Sequence, residues 1–405
     1  MKLLLIAVLT ASVILLISFS TRNKSIKSIS SSGEQSVDVI PGSSPYLTKD
    51  NKGNTVLSWV KQINDSSAVL CYSILDGHDK TIEIPASTNI HAHAENLPKV
   101  IFKPSGDIIA VWGAKNSNPK NKYSGMIYYS QSFDEGKTWT PASKLVNDDE
   151  GYDQRYSDIS LMKSGEVAII WLDNRKTEDV EGSALYCAVT NGKNGFANEV
   201  LVSQPACQCC RTSLFVDNND NIHALYRGII NDSIRDMVHV VSIDGGKTFS
   251  KPERIFEDNW VLRGCPHTGP SMTENSEGLH FVWYSGGLNK GSFYIKSTDN
   301  GKSFMEHNSI SSRGMHPQII SLPGDKLVIA WDEPVKSGEN TYKRISLQVR
   351  NEDGVREIGD FITTGKGYAT YPVIHAINDH ELIVAYSSKK EYGEYVKWKR
   401  VQLDM

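Results

Sequence analysis

The chain has 405 residues, of which 39% are hydrophobic and 22% charged, with a formal net charge of −4. That length can bury a sizeable core, in one large domain if a single pattern runs through it. With neither a basic excess, a basic stripe nor a glycine-rich phosphate loop, nothing in it points to a nucleic-acid or nucleotide partner.

Residues 3–19 form an almost unbroken apolar run behind Lys2, and Ser18 and Ser20 are small residues at the −3 and −1 positions of a cleavage site before Thr21. Residues 1–20 therefore read as a secretory signal peptide or an uncleaved N-terminal anchor, the run being nearly long enough to span a bilayer. Either way the rest of the chain works outside the cytoplasm, and this segment is its sole expected membrane contact. Residues 21–36, rich in Ser and Lys, read as a flexible spacer, and 37–405 as the folded domain.

Seven short apolar strands end in an aromatic residue: 55–59, 108–112, 167–171, 222–226, 279–283, 327–331 and 382–386. Most follow a turn, such as the one at Gly106, at Gly165 or at Gly324. A strand precedes each turn, as at 99–102, 158–162, 213–216 and 318–321, and a third strand follows, as at 126–130, 185–189, 237–241 and 293–297. A fourth, outer strand completes the unit. Four antiparallel strands per unit, with almost no helical periodicity, read as the blades of an all-β propeller. Seven units are counted, or six if an end unit is only a partial blade. The last, at 371–377, 381–387 and 396–403, lacks a fourth strand, which the segment around 36–40 is placed to supply.

One eight-residue pattern recurs at 132–139, 242–249 and 297–304, with starts 110 and then 55 residues apart. Spacings in that ratio imply a repeat of roughly 50 to 60 residues, a propeller or solenoid period. Each copy carries Asp (Asp134, Asp244, Asp299) to accept hydrogen bonds from turn amides, and Gly two residues on (Gly136, Gly246, Gly301) for positive φ. A Thr or Ser then ties off the loop, and Trp139, Phe249 or Phe304 drops into the core.

In a propeller the first strand of each blade lines the central channel, so the loops leading into those strands converge on one funnel. Those loops carry His91, His93, Glu95 and Asn96; Asp153, Arg155 and Tyr156; Cys207, Cys209, Cys210 and Arg211; Arg263, Cys265 and His267; Arg313, Met315 and His316; and Tyr368 and Tyr371. Four of the six cysteines and four of the eleven histidines thus fall at equivalent places. Thiolate, imidazole and thioether together favour Cu(I), with Zn(II) next. The expected ligands are Cys207, Cys209, Cys210, Cys265 and His267, with His91, His93 and His316 beside them. A disulfide from Cys265 to one of the other three is the plain alternative outside the cytoplasm, and unpaired buried thiols are the third. Cys71 and Cys187, at matching third-strand positions, read as small core residues.

The recurring turns are Asp boxes, and the chain beyond residue 40 resembles the sialidase (neuraminidase) superfamily of Asp-box propellers. The resemblance implies an exo-sialidase site: three arginines holding a carboxylate, a Tyr nucleophile activated by a Glu, and an Asp as acid/base. The family's Phe/Tyr-Arg-Ile-Pro motif is matched by Glu95-Asn96-Leu97-Pro98, with Asn in place of Arg. Substitutes for the clamp are Arg155, Arg211, Arg227, Arg235, Arg263 and Arg313, with Tyr371 as nucleophile and Asp153 or Asp173 as acid. The Cys207–Cys210 loop, Tyr226-Arg227, Arg235-Asp236 and the stretch from Arg263 to Pro270 are similar to a sialidase-like bacterial subgroup; Arg235 and Asp236 also read as a pair within their loop. Three functions follow: a soft-metal (copper or zinc) or redox-active site in the funnel, a sialidase-type hydrolase with a rebuilt clamp acting on a small-molecule or glycan ligand, and a non-catalytic interaction scaffold.

Overall fold

The computed structural model describes residues 25–404 apart from 76–79, 88–89, 92, 117–123, 149 and 176–179. The expected signal peptide or anchor at 1–20 lies outside the described residues. Among those described, no helix is long and apolar enough to cross a membrane.

Seven inner strands stand side by side in a ring: Gly42–Lys49, Lys99–Phe102, Gln154–Leu161, Ser213–Val216, Ser271–Asn275, Met315–Ser321 and Tyr368–Ala376, the last packing back against the first. Each is the inner edge of an antiparallel blade. The sheets of blades six and seven touch through one parallel bridge, Lys343 to Tyr368. The seven-unit count therefore stands.

The second strand of each blade places one aromatic against the preceding blade, blade seven preceding blade one in the ring. Trp59, Trp112, Trp171, Tyr226, Trp283, Trp331 and Tyr386 are all buried, as the alternation of apolar strand residues requires. Cys71 and Cys187 are fully buried in third strands, where burial pushes both thiols up to about 12.

The ring is closed by the chain ends. Ser28–Ser31 and Gln35–Ser36 pair antiparallel with Gly393–Asp404 and form the outer edge of blade seven, while the Tyr386 hydroxyl donates to Glu34 at 2.6 Å. The fourth strand thus comes from within the expected spacer, and of the 36–40 segment Ser36 lies in the strand while the Val37 amide donates to the Val396 carbonyl at 3.4 Å. Ser and Lys read as spacer because an outermost strand needs little more than backbone pairing, and its side chains face water.

The Asp boxes form as expected. In the first, Asp134 accepts from Thr138 N (2.8 Å), Thr138 Oγ1 (2.6 Å) and Ser132 Oγ (2.9 Å), and Gly136 has φ +85°. The Thr138 hydroxyl and amide hold the Asp134 carboxyl down at about 2, and Ser303 does the same for Asp299. The corresponding bonds from Thr248 lower Asp244.

Four inner strands carry a bulge at the end that leads in from the loop. The ladder slips between Ser43 and Tyr46, Arg155 and Asp158, Met315 and Gln318, and Thr370 and Val373. Within each slip one residue has positive φ: Ser44 (58°), Tyr156 (56°), His316 (51°) and Tyr371 (51°). A bulge takes its extra residue out of the ladder and re-aims the side chain, so the bulges decide what stands at the channel mouth.

Two consequences can be measured. Trp283→Ala should cost about 3–5 kcal/mol in denaturant unfolding, the usual range for emptying a packed aromatic site; a loss below 1 kcal/mol would mean that the blade contact is not a core contact. Because the Asp-box carboxyls are depressed in the folded state, the stability they add is present above the ordinary Asp value of 3.8 and is lost as pH falls toward about 2. Urea midpoints of the triple Asn variant (Asp134, Asp244, Asp299) should therefore fall less steeply over that range than those of the unaltered protein.

Candidate functional site

At the centre of the mouth Glu95 and Arg211 form a buried ion pair. Glu95 comes from the loop before blade two and Arg211 from the loop before blade four. Arg211 Nη1 donates to Glu95 Oε1 at 2.5 Å, and Glu95 Oε2 accepts from the amides of Arg211 (3.2 Å) and Gly269 (2.8 Å). Arg211 Nη2 donates to the Pro317 carbonyl of blade six at 3.1 Å. Gly269 is a close approach: a Cβ there would lie 2.1 Å from Arg211 Cγ. Four blades are tied across the channel by one carboxylate and one guanidinium.

Beside this pair sits a thiol pocket. Cys207, Cys209 and Cys210 are buried, and their sulfurs all lie within 4.8 Å of one another, with Cys207 and Cys209 at 3.6 Å. The tight Cys-x-Cys-Cys turn brings them together, anchored by the Cys207 amide on the Arg227 carbonyl at 2.8 Å. Hydrogen bonds from Cys209 and Cys210, with the Arg227 guanidinium, lower the Cys207 thiol. The same contacts raise Cys209, and burial above all raises Cys210.

The other expected ligands do not join this set. Cys265 is exposed on its loop, and among the described residues no His, Asp or Glu gathers with the three sulfurs into a larger donor group. His93 and His267 face each other with ring centroids 5.7 Å apart, and His93 meets Tyr156 edge-on. Burial and neighbouring positive groups lower His91 and His93. His316 is instead buried against Asp332, Nδ1 to Oδ2 at 2.5 Å, and stacked on Tyr371. The eight donors share one mouth in sequence position, but positive-φ bulges and short loops turn them to different partners.

Nor do the candidate arginines form a clamp. Arg227 is fully buried, donating to the carbonyls of Arg235 (2.8 Å), Thr268 (3.1 Å) and Tyr284 (2.9 Å) while stacked over Trp260. Arg211 is spent on Glu95 and Pro317. Arg155 pairs with Asp153 at 2.6 Å, Arg235 with Glu181 at 2.7 Å, and Arg263 and Arg313 are exposed. Asp236 pairs with Arg254 rather than with Arg235. Burial raises the Tyr371 hydroxyl, with Glu95 and Asp332 adding to it, which opposes a phenolate nucleophile. Burial pushes the Asp173 carboxyl up to about 6, but the side chain is fully enclosed and accepts the Arg175 amide at 2.7 Å.

Asp332 was missed by sequence reasoning. Its signal was its place directly after Trp331, at the mouth end of a second strand, where a carboxylate has no packing role. Glu95 was visible as a funnel residue, but its role depends on a partner 116 positions away.

No protein-family model and no curated protein matches the sequence. Solved structures do match in shape. A protein of unknown function from Dyadobacter fermentans is 16% identical with a TM-score of 0.54, covering 78% of this chain and 97% of that one. The polysaccharide lyase Uly1 is 12% identical with a TM-score of 0.53 over 90% of each chain. A NanB sialidase variant from Streptococcus pneumoniae is 11% identical with a TM-score of 0.50, covering 89% of this chain and 85% of that one. The chain has a sialidase-like β-propeller fold. At these identities the likeness is one of fold alone.

In this propeller the central ion pair carries the test of the site. Arg211→Met leaves Glu95 charged and buried with only backbone donors, and should cost about 3–5 kcal/mol, the range for breaking a buried pair from one side. A change under 1 kcal/mol in chemical unfolding would show that the pair does not tie the blades.

Proposed function

We propose that the protein is an extracytoplasmic propeller that holds one soft metal ion, Cu(I) foremost, on Cys207, Cys209 and Cys210. The observation that carries this is the convergence of three buried sulfurs within 4.8 Å. An ion about 2.3 Å from each sulfur keeps its ligands roughly 3.8–4 Å apart, so the pocket is already near the spacing of a metal–thiolate set. Soft thiolates select Cu(I), which accepts three ligands. Zn(II) prefers four, and the thiol pocket would have to borrow a water. Arg227 lies close enough to offset part of the thiolate charge. The apolar run at residues 3–19 supports export.

A sialidase-type hydrolase has the fold in its favour and the side chains against it. Binding a carboxylate requires guanidinium groups with free donors, whereas Arg211 and Arg227 are committed to the protein itself.

Anaerobic titration with Cu(I) against a chromophoric chelator should give one ion per chain. Cys209→Ser should weaken it at least tenfold. Binding must displace protons from Cys209 and Cys210, so affinity should fall as pH is lowered. Absence of a stoichiometric Cu(I) complex in the fully reduced protein, or equal affinity in Cys209→Ser, would overturn the assignment.

A further inference from the structure

The bulges that begin blades six and seven bring together three side chains that the thiol pocket does not use. Asp332, at the mouth end of its strand, is fully buried. Its Oδ2 accepts from His316 Nδ1 at 2.5 Å and from the Tyr371 amide at 3.0 Å, while Oδ1 faces Lys343 Nζ at 3.6 Å. The Tyr371 ring lies over the imidazole, centroids 3.9 Å apart at 28°. Both His316 and Tyr371 hold φ at +51°. For side chains of this size that backbone costs on the order of 1 kcal/mol or more each. The strain is borne twice, at adjoining positions, and it builds one stacked pair over one carboxylate.

The chemistry of such a pair is defined. An imidazole that donates Nδ1–H to a carboxylate carries its lone pair on Nε2. Among the described residues Nε2 of His316 makes no hydrogen bond, yet it is not among the polar atoms sealed from solvent. The carboxylate behind the ring also stabilises the imidazolium formed when Nε2 takes a proton. A ligating histidine would have the same support, but no further donors gather at it among the described residues. Proton transfer is the use left to it.

We propose that His316 is a proton acceptor for an O–H-bearing small molecule, water or an alcohol, bound at the channel mouth, with Asp332 as the residue that positions it. In the step, the O–H bond breaks and its proton passes to Nε2. The electron pair left on oxygen adds to an electrophilic carbon. With an ester as acceptor, the acyl–oxygen bond then breaks and the leaving oxygen takes the proton back from Nε2. This centre is independent of the thiol pocket.

Two measurements decide it. In the 15N-histidine-labelled protein, His316 should show an unprotonated Nε2, and Asp332→Asn should reduce that bias. Steady-state hydrolysis of 4-nitrophenyl acetate should exceed that of free imidazole at equal concentration, and His316→Gln should lower it at least tenfold, with the thiols common to both proteins. An equal rate in His316→Gln would overturn the proposal. If that variant does not fold, the resonances of the unaltered protein suffice: an Nε2–H tautomer at His316 rules out proton acceptance there.

Discussion

A propeller must stop its blades from sliding past one another around an axis that has no backbone pairing across it. Here the Glu95–Arg211 pair supplies the crossing contact. One carboxylate takes three donors from blades four and five, and one guanidinium reaches on to a carbonyl of blade six. A buried charge without such partners would cost several kcal/mol, so each loop that contributes a donor is held in the one conformation that satisfies it. Gly269 lets the Arg211 stem pass, since any side chain there would occupy the same space. The shape of the mouth follows from that constraint.

Fixed in this way, the mouth divides into two chemically distinct parts. On the side of blades three and four, the sulfurs of one short turn share a buried pocket beside Arg227. On the side of blades six and seven, a carboxylate organises His316 and Tyr371. The buried guanidinium groups of Arg211 and Arg227 are not free to bind an anionic ligand, because they serve as internal struts. The Asn96 that stands where the sialidase motif has Arg is consistent with that: Asn96 Oδ1 accepts the Tyr156 amide at 2.7 Å, a structural role in the blade-three bulge.

The outer rim obeys a simpler rule. Asp134, Asp244 and Asp299 each satisfy their own turns within a few residues, so the boxes repeat without regard to the mouth. The closing strand is also local in its demands, asking only for backbone pairing along Gly393–Asp404. Its Ser-rich composition resembles that of a solvated linker, and this is why the closing strand was expected around 36–40 and is found at 28–31 and 35–36.

The sequence by itself determined the blades and their turns, and narrowed their number to seven or six. Those rest on short-range regularities: alternation along a strand, an aromatic at each second-strand end, and Asp, Gly and Thr within one turn. It also determined the thiol trio, since three cysteines within four residues need little more than a turn to meet. Only the tertiary structure decided which funnel residues face each other. Glu95 meets Arg211 across 116 positions, His316 meets Asp332 and Tyr371 across two blades, and Cys265 meets none of the other sulfurs. Those outcomes depend on where bulges turn the backbone to positive φ and on which buried charge finds its counterion first, and such long-range pairings leave no periodic mark in the chain.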